Sequence, residues 1–195
     1  MNKTSLANRR DLSKKRSQIV RLTIAGLLLV IAGWIGWSIL QEPNEPLVIA
    51  EAGSQVGDSA PDFTVPTLDG KTFTLSEHRG NPTIIFFMAY WCGTCIPEAR
   101  ALAQIHEEFG EEVSIVVLDV DPTSSPEALA QFKANAGNPE YIWAFDQGQE
   151  VIVGYQIPSL DTTIIVDPNG IVSYRDTYPT PYKTLKEALS EIGVS

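Results

Sequence analysis

Cysteine and histidine are scarce in this 195-residue chain: two of each, with both cysteines, Cys92 and Cys95, inside one short stretch. A structural zinc site takes about four cysteine or histidine ligands, and His78 and His106 have the wrong spacing to join the thiols. A structural zinc clip is therefore not expected, and no organic cofactor is required. Positive charge is also short, 14 Lys and Arg against 24 Asp and Glu. The balance is uneven: residues 1 to 21 carry seven cations and one acid, a net +6, which leaves −16 on the remainder. So acidic a body repels nucleic acid and anionic headgroups, so nucleic-acid binding is not expected. Internal repeats and low-complexity tracts are missing as well.

What is present begins with one long apolar run, "LTIAGLLLVIAGWIGWSIL", Leu22 to Leu40, without a charged residue. As a helix it reaches about 28 Å, the thickness of a bilayer's hydrocarbon core. Trp34 and Trp37 stand near its outer end, and the basic flank marks the cytoplasmic side. The expected order is a cytoplasmic basic tail (1–21), a single transmembrane helix (22–40), a tether (41–56) and an extracytoplasmic domain (57–195). "Ala50-Glu51-Ala52" has the small-x-small form of a processing site but lies ten residues past the run, so a retained anchor is preferred to a cleaved leader.

From Gly57 the pattern turns globular. "DFTVPTLDGKTFTLSEH" reads as two short strands around the turn Leu68-Asp69-Gly70-Lys71. "PTIIFFMAY" (82–90) and "VSIVVLDV" (113–120) read as strands buried on both faces. Ala99, Leu102, Ala103, Ile105, His106 and Phe109 follow helical spacing, and "SSPEALAQFKANAG" is a helix with a serine cap, Pro126 at its start and Gly137 at its end. "YIWAF" predicts a strand and "QGQEVIVGY" a short helix; "TTIIVD" and "IVSYR" flank the turn 167–170, and "PYKTLKEALSEIG" closes as an amphipathic helix. The order gives an α/β mixed sheet with helices on both faces.

The two thiols sit between a strand and a helix, in "FFMAYWCGTCIPEARAL". A disulfide linking residues this close constrains the unfolded chain only slightly, which argues against a staple. A helix N-terminus instead stabilises a thiolate, and a thiol pKa of about 8.5 can fall to between roughly 3.5 and 7.5 there. Cys95, one turn on, is placed to attack a mixed disulfide formed by Cys92.

"WCGTC" at this junction, with "SIVVLDV" and "TTIIVDPNG" beyond it, resembles the thioredoxin fold. The hairpin "PDFTVPTLDGKTFTLSEHRGNPTIIFF" and the anchor resemble the membrane-anchored extracytoplasmic thiol–disulfide oxidoreductases of the ResA/TlpA type, related to AhpC/TSA proteins, over about residues 56 to 193. The resemblance implies a thioredoxin-like fold with an N-terminal β-hairpin extension. It implies that Cys92 is the exposed nucleophile and Cys95 the resolving thiol, that Trp91 flanks the site, and that Glu98 is the acid kept beside it, able to hold a proton for Cys95. It also implies protein thiol or disulfide substrates, such as apocytochrome, and recharging by a membrane electron donor.

The chain departs from that pattern in two places. Where thioredoxin-like proteins carry a cis-proline, the family's register places Asp161, with Pro158 three residues early, so the Leu160–Asp161 bond is expected to be trans or the loop rebuilt around Pro158. Leu160 and Asp161 fall where the family's substrate docks. Ionised Asp161 opposes a thiolate on Cys92, which lowers the potential and favours a reductant; it is alternatively a third metal ligand with Cys92 and Cys95, or a solvated loop acid. Pro97 lies three residues before the family's kink proline, and distortion is expected there. The alternative function is a copper chaperone or a binding module on the same fold using Cys92 and Cys95. A copper chaperone calls for a wider C-x-x-x-C spacing and a later histidine, while the Asp161 departure keeps the binding module open. A thiol peroxidase needs threonine three residues before its cysteine, where this chain has Ala89.

Overall fold

The computed structural model describes residues 53–194. The basic tail, the apolar run 22–40 and most of the tether lie outside the described residues. Among the described residues no helix is long and apolar enough to cross a membrane.

The near-continuous apolar runs become the centre of a five-stranded mixed sheet. Its strands are β3 (Thr83–Met88), β4 (Ser114–Asp119), β5 (Ile142–Phe145), β6 (Thr162–Val166) and β7 (Val172–Arg175), ordered β5-β4-β3-β6-β7. β3, β4 and β5 run parallel, while β6 and β7 are antiparallel additions on the other side of β3. Every residue of β3 is buried, as a strand covered on both faces requires. A separate hairpin, β1 (Thr64–Pro66) with β2 (Thr72–Thr74), turns at the expected Asp69-Gly70, where Gly70 takes φ 81°.

Two apolar layers form against the sheet. On one face Ile84, Phe86, Val117 and Ile165 meet helices α1 (Ile96–Phe109), α2 (Pro126–Ala136) and α4 (Tyr182–Glu191) through Leu102, Ile105, Leu129, Phe132, Leu185 and Leu189. On the other, Ile85, Phe87, Val116, Leu118 and Ile164 meet Val65 and Phe73 of the hairpin and Val151 and Tyr155 at α3 (Glu150–Gly154). Each such fully buried side chain contributes about 1.5–3 kcal/mol relative to exposure. The second face is covered mostly by the hairpin, because α3 is only five residues long.

The elements end where local chemistry dictates. Ser125 caps α2 by accepting from Ala128 N, Pro126 opens it, and Gly137 closes it at φ 104°. Pro97 does not distort α1, contrary to the expectation from its sequence position: the helix begins at Ile96, so Pro97 occupies its first turn, where an N–H has no intrahelical acceptor anyway. Both sheet edges carry extra backbone pairing. Leu68 N donates to Trp143 O of β5, and the segment around Gly57 and Asp58 exchanges backbone hydrogen bonds with Val172 of β7. Contacts with the domain thus begin inside the stretch read as tether; Gly53 N already bonds Ser59 O.

Candidate active site

The chain leaves β3 at Met88 and enters a short turn before α1. Cys92 is the N-cap of a single 3-10 turn, Gly93–Cys95, which passes directly into α1 at Ile96. The thiols therefore stand on a tight turn immediately upstream of the α-helix proper, with Cys95 N bonded to Cys92 O. Cys92 and Cys95 form a disulfide, with Cα atoms 5.4 Å apart. Cys95 is fully buried, whereas Cys92 keeps 6 % of its surface. The nucleophile implied by the resemblance is accordingly the more accessible sulfur, but it is recessed rather than broadly exposed. The Thr94 hydroxyl lies 3.3 Å from Cys92 Sγ, a polar neighbour able to donate to a thiolate.

Trp91 provides the exposed surface the sulfur lacks. Its indole is 61 % exposed, and Nε1–H donates to Asp121 Oδ2 at 2.6 Å. It is not a core residue; the bond to the loop after β4 holds a flat apolar face beside the thiols. Leu160 on the opposing loop is half-buried and packs against both apolar layers.

Glu98 follows Cys95, the N-cap of α1, by three residues and so lies in the helix's first turn, next after that sulfur. Its side chain is turned inward: Glu98 is 1 % exposed. Its Oε1 accepts from the Thr163 hydroxyl at 2.5 Å and its Oε2 from Thr180 N at 3.0 Å. Burial pushes its pKa up to about 8; the Thr163 and Thr180 bonds pull against that shift, and the charges of Asp176 and Asp161 add to it. At neutral pH the carboxyl holds its proton. A simple surface acid favoured by the helix dipole does not describe it.

Sequence reasoning missed the group behind Glu98. Asp176 is buried and accepts from Thr163 N, from the Tyr174 hydroxyl and from the Thr180 hydroxyl. Thr163 and Thr180 thus bridge two buried carboxyl groups. A signal existed: Asp176 lies two residues beyond Tyr174 and so continues the inward phase of β7. Asp121, the partner of Trp91, went unnoticed for lack of any pattern in "DVDPTSS".

Asp161 stands where the sequence register put it, immediately before β6. No cis peptide bond occurs among the described residues, in line with the expectation for Leu160–Asp161. The residue takes a left-handed backbone, φ 58°, and is only 6 % exposed, so it is not a solvated loop acid. Burial raises its pKa, offset in part by the Thr94 hydroxyl and reinforced by Asp176. Its Oδ1 has no hydrogen-bond partner. One carboxylate oxygen of Asp161 and both sulfurs lie within 4.8 Å of one another. The histidines are elsewhere: His78 Nδ1 bonds Ser114 Oγ with its ring stacked on Phe73, and His106 meets Tyr141 edge-on.

The comparisons agree with this geometry. The AhpC/TSA family model matches residues 56–175. The chain is 28 % identical over 151 residues to the thioredoxin-like protein YneN of Bacillus subtilis, covering 76 % of this chain and 85 % of that one. It is 29 % identical over 160 residues to the thiol-disulfide oxidoreductase ResA of Bacillus thuringiensis, covering 82 % and 87 %. Among solved structures, a putative thiol:disulfide interchange protein DsbE from Chlorobium tepidum superposes with a TM-score of 0.64 at 24 % identity, covering 71 % of this chain and 97 % of that one. The fold and the paired cysteines identify a thiol–disulfide oxidoreductase. The chain belongs to the AhpC/TSA family, as a thioredoxin-like member of the ResA/TlpA type.

Proposed function

We propose that this protein is a membrane-anchored, extracytoplasmic reductant of disulfides in exported proteins. The observation that carries the reading is the Cys92–Cys95 pair on its tight turn, one sulfur reachable and one buried, with the protonated Glu98 in the first turn of the helix that follows. In the reducing direction, Cys92 as a thiolate attacks a substrate disulfide, one substrate sulfur leaves with a proton, and a mixed disulfide forms. Cys95 then gives up its proton, attacks Cys92 Sγ and expels the second substrate thiol. Two electrons pass to the substrate, and the internal disulfide is restored. The ionised fraction of Glu98, which grows as the pH approaches 8, is suited to take the proton Cys95 gives up; the protonated form returns it when the pair is reduced again.

The apolar run 22–40 supports the anchor and the basic tail its orientation. Family resemblance supports an exported cysteine-containing substrate such as apocytochrome and a membrane thiol reductase as electron donor. Trp91 and Leu160 supply the apolar faces against which a substrate segment would lie.

The test is the midpoint potential of the Cys92–Cys95 pair, measured by equilibration with glutathione and dithiothreitol buffers. A potential well below about −180 mV, the level of a disulfide isomerase, fits a reductant; one near the roughly −120 mV of a strong periplasmic oxidant reverses the direction.

A further inference from the structure

The exchange cycle uses both sulfurs and leaves Asp161 without a task. Its carboxyl is more than nine-tenths buried, one oxygen has no hydrogen-bond partner, and the carboxylate lies within 4.8 Å of Cys92 Sγ and Cys95 Sγ. The ionisable groups that bear on it are acids, Asp176 and Glu98, and among the described residues no lysine, arginine or histidine forms an ion pair with it. A buried acceptor of this kind is normally satisfied, and what suits this one is a cation shared with its neighbours. The sulfurs become anionic donors only when the disulfide is reduced.

We propose that the reduced protein binds one thiophilic divalent cation of the zinc or cadmium class through Cys92 Sγ, Cys95 Sγ and the Asp161 carboxylate. Two thiolates and one carboxylate form a three-ligand set of the kind borderline ions accept, with solvent as the fourth ligand. Binding displaces the two thiol protons to solvent, so it weakens as the pH falls. When the dithiol reduces a substrate disulfide, two electrons leave with the two substrate thiols, a bond forms between Cys92 Sγ and Cys95 Sγ, the ion is released and the site ceases to exist. Occupancy is therefore gated by redox state, and a bound ion protects the dithiol from reaction until a competing ligand removes it. The inference rests on the pair cycling between disulfide and dithiol, as proposed above.

The experiment is a titration of the purified full chain, reduced and kept free of oxygen, with Zn(II) against a chromophoric chelator. It is repeated with Cd(II), following the thiolate-to-metal absorption band. The expected result is one ion per chain, none after oxidation, and binding weakened about tenfold or more in Asp161→Asn, the least loss expected for a direct ligand. If Asp161→Asn fails to fold, Asp161→Gly, which suits the left-handed backbone, is read in its place. Equal affinity in wild type and variant would show capture by two thiolates alone and would overturn the proposal, as would binding to the oxidised chain. A thiol count on the same sample separates the two readings: two free thiols with no bound ion defeat the cation site and leave disulfide exchange standing.

Discussion

Thr163 of β6 donates its hydroxyl proton to Glu98 of α1, so a residue of the active-site helix is fastened to the central sheet through a carboxyl group buried from water. The bond explains how an acid survives in the apolar layer beneath the disulfide. Burial from water, against which this bond pulls, fixes the sign of the acid's pH response. The folded-state pKa, about 8, lies above the ordinary 4.5, so the folded protein holds this proton more tightly than the unfolded chain does. Its contribution to stability is complete below pH 4.5 and is lost as the pH rises through about 8. In Glu98→Gln that loss disappears. Unfolding free energies of the oxidised protein from urea melts across this range are expected to fall in wild type by an amount on the order of a few kcal/mol and to fall less in the variant, where the buried Asp119, Asp146 and Asp161 still titrate.

The same residue has a redox signature. A thiolate formed on reduction adds negative charge near Glu98 and raises its pKa above the oxidised-state value of about 8. Reduction then takes up an additional fraction of a proton above pH 8. The plot of midpoint potential against pH is expected to steepen there in wild type, and the excess slope should vanish in Glu98→Gln.

The unequal accessibility of the sulfurs predicts unequal trapping. With Cys95→Ser, Cys92 is expected to accumulate a stable mixed disulfide with a model substrate, visible as an added mass that dithiothreitol removes. With Cys92→Ser, buried Cys95 is expected to form none. Equal adduct yield from both variants would contradict the assignment of roles.

Trp91 separates docking from folding. Because its indole is exposed, Trp91→Ala is expected to change stability by no more than about 0.5–1 kcal/mol while slowing exchange with protein substrates. Exchange with a small disulfide should change little. A comparable slowing toward both would mean that the indole acts on the sulfur rather than on the partner.

Asp161 gives opposite results with two substitutions. Asp161→Pro, which would restore the family's usual residue, demands φ near −65°, whereas the native value is 58°. It is expected to destabilise the fold by several kcal/mol or force the loop to rebuild. Asp161→Gly relieves a strained backbone and removes an unpaired buried oxygen, and should raise stability by about 1 kcal/mol. Thermal unfolding of the two variants beside wild type checks both.

These residues show what a one-dimensional reading reaches. β3 and β4 were legible because strands covered on both faces are continuously apolar, and α2 because Ser125, Pro126 and Gly137 state its ends locally. Cys92 and Cys95 were found by spacing, and Asp161 through the register that the family resemblance implies. Asp176, Thr163 and Thr180 were not: strand phase alone hinted at Asp176, residue type does not distinguish a buried polar residue from a solvated one, and their partners lie up to 82 positions away. The burial of Glu98 was invisible for the same reason. Pro97 was misread because the start of α1 was placed at the cysteines, whereas those residues fold as a tighter turn of their own.

The backbone pairing of Leu68 on one margin of the sheet and of Gly57 and Asp58 on the other has a further effect. Along those stretches the chain has already spent the free amide and carbonyl groups that a visiting peptide would need to lie alongside as a sixth strand. Visitors are turned toward the end of the sheet where the sulfurs lie. At those positions an added strand finds no free partner, while the exposed Trp91 beside the sulfurs remains able to meet it.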